Sequence, residues 1–250
     1  MRYLITYSYD GTNFFGYQFQ EGLRTVEGEL LRALKYINNK QDTKVFSSGR
    51  TDKGVHAKCQ KAHFDLSVSI TPYKLKCALN SNLPNDIHVI DAVEVDDNFH
   101  ARYMVLEKTY CYYLNMGEYN PLERNYVYQY CNNLDIALMQ DAIKCFIGTH
   151  NFKSWTPNKD KRNNYVRTIK RAYIEQMGDI IVFTFCADGF LKYQIRNMVG
   201  YLIRVGEHKK NKNDIEYILS KMDRRFASIT AHPEGLCLED VVYKNVWKMQ

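Results

Sequence analysis

The stretch Ser48-Gly49-Arg50-Thr51-Asp52-Lys53-Gly54-Val55-His56-Ala57 holds one carboxylate, Asp52, between two fixed cations and two glycines. A carboxylate held in this way can act as a nucleophile or a base on a polyanionic substrate. The same residues also spell an ordinary tight turn, with Asp and Gly where a reversal wants them. Spacing alone leaves both readings standing, because short motifs match by chance. Arg50 lies two residues before Asp52, so an extended backbone would point both side chains the same way.

The elements that must position this stretch follow from periodicity. Residues 2–9 alternate as a strand. Residues 25–39 read as a helix, with Val26, Leu30, Leu34 and Ile37 on one face and Glu27 and Glu29 suiting its N-terminal dipole. Strands are expected at 43–48 and 60–68, a helix at 72–81 capped by Thr71 with Pro72 in its first turn, and a strand at 87–95. The second half repeats that order: a strand at 108–116, a helix at 134–147 stopped by Gly148, strands at 166–176 and 180–187 around a Met177-Gly178-Asp179 hairpin, a helix at 190–207 and a closing strand at 237–243. A shorter helix at 213–222 is an addition. Two β-α-β-β-α-β runs make an α+β chain of two ferredoxin-like halves, 1–100 and 101–250. Asp52 then falls on a loop between two strands of the first half, a common place for a catalytic residue. RNA-recognition domains share the element order, but neither half carries their aromatic signature.

Composition narrows the function classes. The 250 residues are 45% hydrophobic and 25% charged, as in a soluble globular protein. No apolar run approaches a membrane span, and the start alternates like a strand instead of building a secretory core, so no membrane partner and a cytoplasmic location are expected. The net charge of +6 suits an acidic partner without proving one, and the 20 tyrosines can stack on bases or simply fill strands. Seven cysteines, odd in number and without Cys-x-x-Cys spacing, argue against a disulfide framework and a zinc site. Cys59 and His63 are four apart, but they sit in a strand-like run, so no metal is read there. No P-loop or dinucleotide-binding glycine motif is present, and no cofactor is expected.

The residues then become recognisable. Gly49-Arg50-Thr51-Asp52-Lys53-Gly54-Val55-His56-Ala57 resembles the active-site motif of the tRNA pseudouridine synthase A family. Tyr9-Asp10-Gly11 through Gly16-Tyr17-Gln18 resembles its opening block, and Arg24-Thr25-Val26-Glu27-Gly28 the start of its first helix. Leu83-Pro84-Asn85-Asp86-Ile87, Phe99-His100-Ala101-Arg102, Lys108-Thr109-Tyr110-Cys111-Tyr112, Gly189 through Gly200, and Thr230 through Leu236 resemble further blocks in the same order. Cys59, Tyr17, Met104-Val105 and His232-Pro233 depart from the family pattern. The departures bear on substrate choice more than on reaction type.

The resemblance implies isomerisation of uridine to pseudouridine at positions 38, 39 and 40 in the anticodon arm of tRNA. It implies a continuous, mostly antiparallel sheet with helices on one face and a central cleft, and a homodimer. Asp52 is the implied catalytic residue, either attacking C1′ or removing the 2′ proton on a glycal route. Arg196 on the late helix is the implied cation that keeps Asp52 ionised. Tyr110 is implied to stack on the uracil and assist proton transfer at C5. Arg50 can pair with Asp52 or fill the gap left by the departing base. His56 is read as structural. The basic runs 158–164 and 208–212 are candidate phosphate contacts, though such runs are more often solvated surface. The alternatives are a synthase acting on another RNA, and a non-catalytic RNA-binding protein or chaperone, which would have no use for a carboxylate beside phosphate.

Overall fold

Alternating residues at the start of the chain form β1, Arg2–Tyr9, which puts Tyr3, Ile5, Tyr7 and Tyr9 in the core. The computed structural model describes residues 1–157, 164–227 and 229–244. It groups the chain into two units, one of Met1–Leu106 with Cys237–Gln250 and one of Glu107–Leu236. Both mix helices with mostly antiparallel strands, so the chain is α+β.

In the first unit β1 is followed by α1 (Val26–Ile37), β2 (Phe46–Ser47), β3 (His56–Asp65), α2 (Pro72–Asn82) and β4 (Ile87–Val95). Strand β1 lies between β3 and β4, antiparallel to both, and β2 runs antiparallel to β3. The register sets Tyr3 opposite Phe64, Ile5 opposite Ala62 and Tyr7 opposite Gln60. All six are fully buried, so one polar side chain, Gln60, stands in an apolar row. The Thr25 side chain caps α1 by accepting from Gly28 N, and the helix buries Val26, Leu30, Ala33 and Leu34. Thr71 caps α2 in the same way, with Pro72 in the first turn. The strand expected at 43–48 is cut to two residues. Ser48 N still donates to Lys61 O at 2.7 Å; beyond it the chain leaves the ladder, and the Gln60 amide takes up the Ser48 hydroxyl and Gly49 O.

The second unit takes up β5 (Val105–Asn115), β6 (Tyr128–Gln129), α3 (Ile136–Ala142), β7 (Gly148–Asn151), β8 (Val166–Met177), β9 (Ile180–Ala187), α4 (Gln194–Gly206) and α5 (Asp214–Lys221). Strand β9 is flanked by β5 and β8, antiparallel to both, and is buried along nearly its whole length. Strands β8 and β9 meet at the expected hairpin, with Gly178 at φ +62°. The helix expected at 134–147 begins only after its cap, Asp135, and tightens into a 3-10 turn over Ile143–Phe146. The helix expected from 190 starts at Gln194, because Tyr193 is left-handed at φ +58° and cannot lie within a helix. Strand β10, Leu236–Tyr243, groups with the first unit from Cys237 on and runs parallel to β3. Among the described residues no helix is long and apolar enough to cross a membrane.

Candidate active site

In the first unit Asp52 is half-buried on the loop between β2 and β3. Val55 N donates to Asp52 O at 3.2 Å and closes the Asp52-Lys53-Gly54-Val55 turn. Gly54 stands at φ +78°, the value that the third position of a type II turn requires. So the motif is a turn, and the turn aims the carboxylate. Its upstream arm is fixed from the buried row: the Ser48 hydroxyl donates to Gln60 Oε1 at 2.5 Å and Gln60 Nε2 donates to Gly49 O at 3.1 Å. Its middle is fixed from the segment between β1 and α1. Tyr17 N donates to Thr51 O at 3.1 Å, and the Tyr9 and Thr51 hydroxyls share a hydrogen bond of 2.8 Å.

His56 is 6% exposed, and its Nδ1 accepts from Gly11 N at 3.0 Å. That bond ties the Asp10-Gly11 bend to the start of β3. Asp10 Oδ1 lies 3.2 Å from the same nitrogen and accepts from Thr12 N at 2.9 Å. A Cβ on Gly11 would lie 2.0 Å from Val55 O, so only glycine lets the two segments touch. Arg50 is exposed on the same loop. Arg24, a cation that could have faced RNA, is instead committed to the scaffold. It binds Asp86 through both terminal nitrogens, at 2.7 and 2.8 Å, and lies 4.2 Å over the Phe14 ring.

In the second unit Tyr110 is 6% exposed on β5, its ring edge-on to Phe190 at 5.3 Å. Tyr112 shares that face, as alternation requires, but is fully buried with its hydroxyl donating to His232 O at 2.9 Å. Burial pushes the Tyr112 hydroxyl well above its ordinary pKa. Arg196 is half-buried on α4; its Nε donates to Ala231 O at 2.8 Å, and Ala231 N donates back to Arg196 O at 2.8 Å. Behind it Asn197, fully buried, donates to Trp155 O at 2.6 Å and accepts from Arg224 and Thr230 at 2.9 and 2.7 Å. This network braces the 229–231 segment against α4. The first turn of α4 has no acid, and Arg196 and Lys192 lie 5.1 and 5.2 Å from the Tyr193 ring. A helix N-terminus dressed with cations favours anions.

The structure thus sets Asp52 and Arg50 on one loop of the first unit, and Tyr110 and Arg196 in the second. The basic run 208–212 is mostly tied to carboxylates: Lys209 to Glu207 at 3.3 Å, Lys212 to Asp141, and His208 3.6 Å from Asp135. The other run, 158–164, lies outside the described residues except for Asn164. Of the departures from the family pattern, Tyr17 is buried and accepts from the Tyr7 hydroxyl at 3.0 Å, and His232 stacks on Tyr128 at 4.7 Å. Gln60 is the site residue that periodicity misses, although a glutamine in step with Ala62 and Phe64 is itself a signal. Cys59 and His63 lie on strand β3, and among the described residues no cluster of His, Cys, Asp and Glu could hold a metal ion.

A family model described as tRNA pseudouridine synthase matches residues 5–104 and 142–244. The match spans Arg50, Asp52 and Arg196 and leaves Tyr110 between its two segments. The tRNA pseudouridine synthase A of Geobacillus sp. (strain WCH70) is 42% identical over 98% of this chain and 99% of its own. The tRNA pseudouridine synthase A 2 of Clostridium perfringens is 42% identical over 96% and 98%, and the tRNA pseudouridine synthase A of Streptococcus pyogenes serotype M3 is 41% identical over 98% and 100%. A solved Cbf5-Nop10-Gar1 complex overlays with a TM-score of 0.33 and 13% identity, covering 80% of this chain and 54% of that one, a likeness too slight to weigh. With a family match over both segments and relatives aligned nearly end to end, the chain belongs to the tRNA pseudouridine synthase family.

Proposed function

We propose that this chain isomerises uridine to pseudouridine at positions 38, 39 and 40 in the anticodon stem-loop of tRNA, with Asp52 as the catalytic residue. The observation that carries the reading is the Asp52 turn: a half-buried carboxylate pinned by backbone bonds, flanked by Arg50 and Lys53, inside the matched segment. In the covalent route the carboxylate attacks C1′ and the N1–C1′ bond breaks, leaving uracil as an anion. The uracil turns, C5 attacks C1′, and the carboxylate is released as it began. The C5 proton is lost and N1 gains one, so atoms and electrons balance with no co-reactant. In the glycal route Asp52 removes the 2′ proton first. Either route needs the carboxylate ionised, and Arg196 supplies the cation for it. Tyr110 stacks on the uracil and its hydroxyl assists the proton transfer at C5. Arg50 fills the gap when the base leaves its stack.

The same reading takes both halves, 1–100 and 101–250, as ferredoxin-like modules and the enzyme as a cytoplasmic homodimer. The strand arrangement in 1–100, β4-β1-β3 with β2 beside β3, supports the first of these modules. The test is incubation with unmodified tRNA followed by position-resolved pseudouridine detection. Wild type converts anticodon-arm uridines, and Asp52→Asn and Asp52→Ala convert none. Conversion by either variant overturns the role of Asp52, and conversion elsewhere in the tRNA overturns the positions.

A further inference from the structure

Phe15 is 44% exposed on the segment between β1 and α1, and Lys53 Nζ lies 4.1 Å from its ring centroid. Lys53 is itself exposed and immediately follows Asp52. The backbone at both ends of this contact is fixed. Phe15 N donates to Arg24 O at 2.9 Å, and Gln20 Nε2 donates to Phe15 O at 3.1 Å. Lys53 belongs to the turn closed by Val55 N, and the turn is tied back to the Phe15 segment through Tyr17 N. The neighbouring Phe14 is 1% exposed, so the chain buries one ring of this pair and leaves the other at the surface.

A cation resting on an aromatic face keeps its full charge. The pair therefore offers one ammonium and one ring surface side by side, next to Asp52. An acidic peptide answers the ammonium but has no use for the ring. A nucleotide answers both, with a phosphate and a π-face. There is also a task to perform: when a uridine leaves its stack, the neighbouring base loses a stacking partner.

We propose that Phe15 and Lys53 together hold the nucleotide adjacent to the target uridine, its base against the Phe15 ring and its phosphate on the Lys53 ammonium. This rests on the reading that the target uridine reacts at Asp52. The pair positions the RNA and takes no part in bond making, so its loss falls on KM.

The experiment uses the full chain and an unmodified tRNA transcript, with KM and kcat measured over a series of KCl concentrations. Lys53→Met keeps the aliphatic stem and removes the charge. Its KM rises roughly tenfold at low salt, its kcat is nearly unchanged, and the slope of log KM against log salt falls by about 0.7–0.9, the loss of one phosphate contact. Phe15→Leu raises KM roughly tenfold with the slope unchanged. Lys53→Arg and Phe15→Tyr restore wild-type values. A Lys53→Met enzyme with the wild-type slope overturns the phosphate contact, even if its activity falls, because a lysine that merely props the loop does not move the slope. A Phe15→Leu enzyme with wild-type KM overturns the stacking. Asp52→Asn runs alongside. If it still converts uridine, the site reading itself has failed; if it is inactive while the Phe15 and Lys53 variants behave as wild type, only the present proposal has.

Discussion

His63 makes the stability of the first unit depend on pH, and the size of the effect follows from its surroundings. The residue lies on β3 opposite Phe46, 1% exposed, its ring stacked on Phe46 at 4.9 Å and edge-on to His100 at 4.8 Å. Ala101 N donates to its Nδ1 at 3.0 Å. A proton on Nδ1 would break that bond and leave a buried charge beside His100 and within the field of Arg2. Burial first, then His100 and Arg2, bring the His63 pKa from 6.5 down to about 4. The folded-state value is depressed, so between pH 6.5 and about 4 the unfolded chain binds a proton that the folded chain refuses. Stability therefore falls as pH falls through that window and is level above it. At about 1.4 kcal/mol per unit the full loss is about 3 kcal/mol, of which about 2 kcal/mol is reached by pH 5. The comparison is with His63→Asn, which keeps an acceptor and cannot titrate. Urea unfolding at pH 7.5 and pH 5 should show wild type losing about 2 kcal/mol more than the variant over that interval. Equal losses in the two proteins would refute the buried neutral histidine.

Three further substitutions probe the site's geometry. Gly11→Ala places a methyl 2.0 Å from Val55 O, where the obstacle is backbone and cannot rotate away; unfolding midpoints should show a loss of about 2–4 kcal/mol together with reduced kcat as the Asp52 turn is displaced. Tyr112→Phe removes the bond to His232 O and should cost about 1 kcal/mol of stability with kcat retained. Tyr110→Phe should instead lose at least about a hundredfold in kcat. The reverse pattern would transfer the catalytic role to Tyr112.

The fold was legible where alternation or a cap decides the backbone locally. Strand β4 and strand β9 have the expected bounds, and α2 starts at Pro72 behind Thr71 as its cap signal requires. Legibility failed where the partner decides. Strands β6 and β7 have two and four residues, and they exist because β5 and β8 offer an edge. The start of α4 was hidden for another reason. Phe190 and Leu191 continue the apolar pattern of the helix, and nothing about a tyrosine at 193 announces the left-handed turn that delays it.

At the site, residue types were legible and their support was not. The motif names Asp52, but it reads equally as a turn, and the structure makes that alternative part of the answer. The turn holds the carboxylate, and three separate segments hold the turn: Gln60 from the buried row, Tyr9 and Tyr17 from the first strand and the segment after it, and Gly11 through the backbone of Val55. Each contact joins residues far apart in sequence, which is why one sequence does not show it. The consequence is energetic. A carboxylate whose backbone is fixed before RNA arrives needs little ordering when the base does, so binding energy remains for unstacking the uridine, a cost of a few kcal/mol. On this argument, loosening the turn from behind, without touching Asp52, lowers kcat as well as stability, which is why Gly11→Ala is read by both measurements.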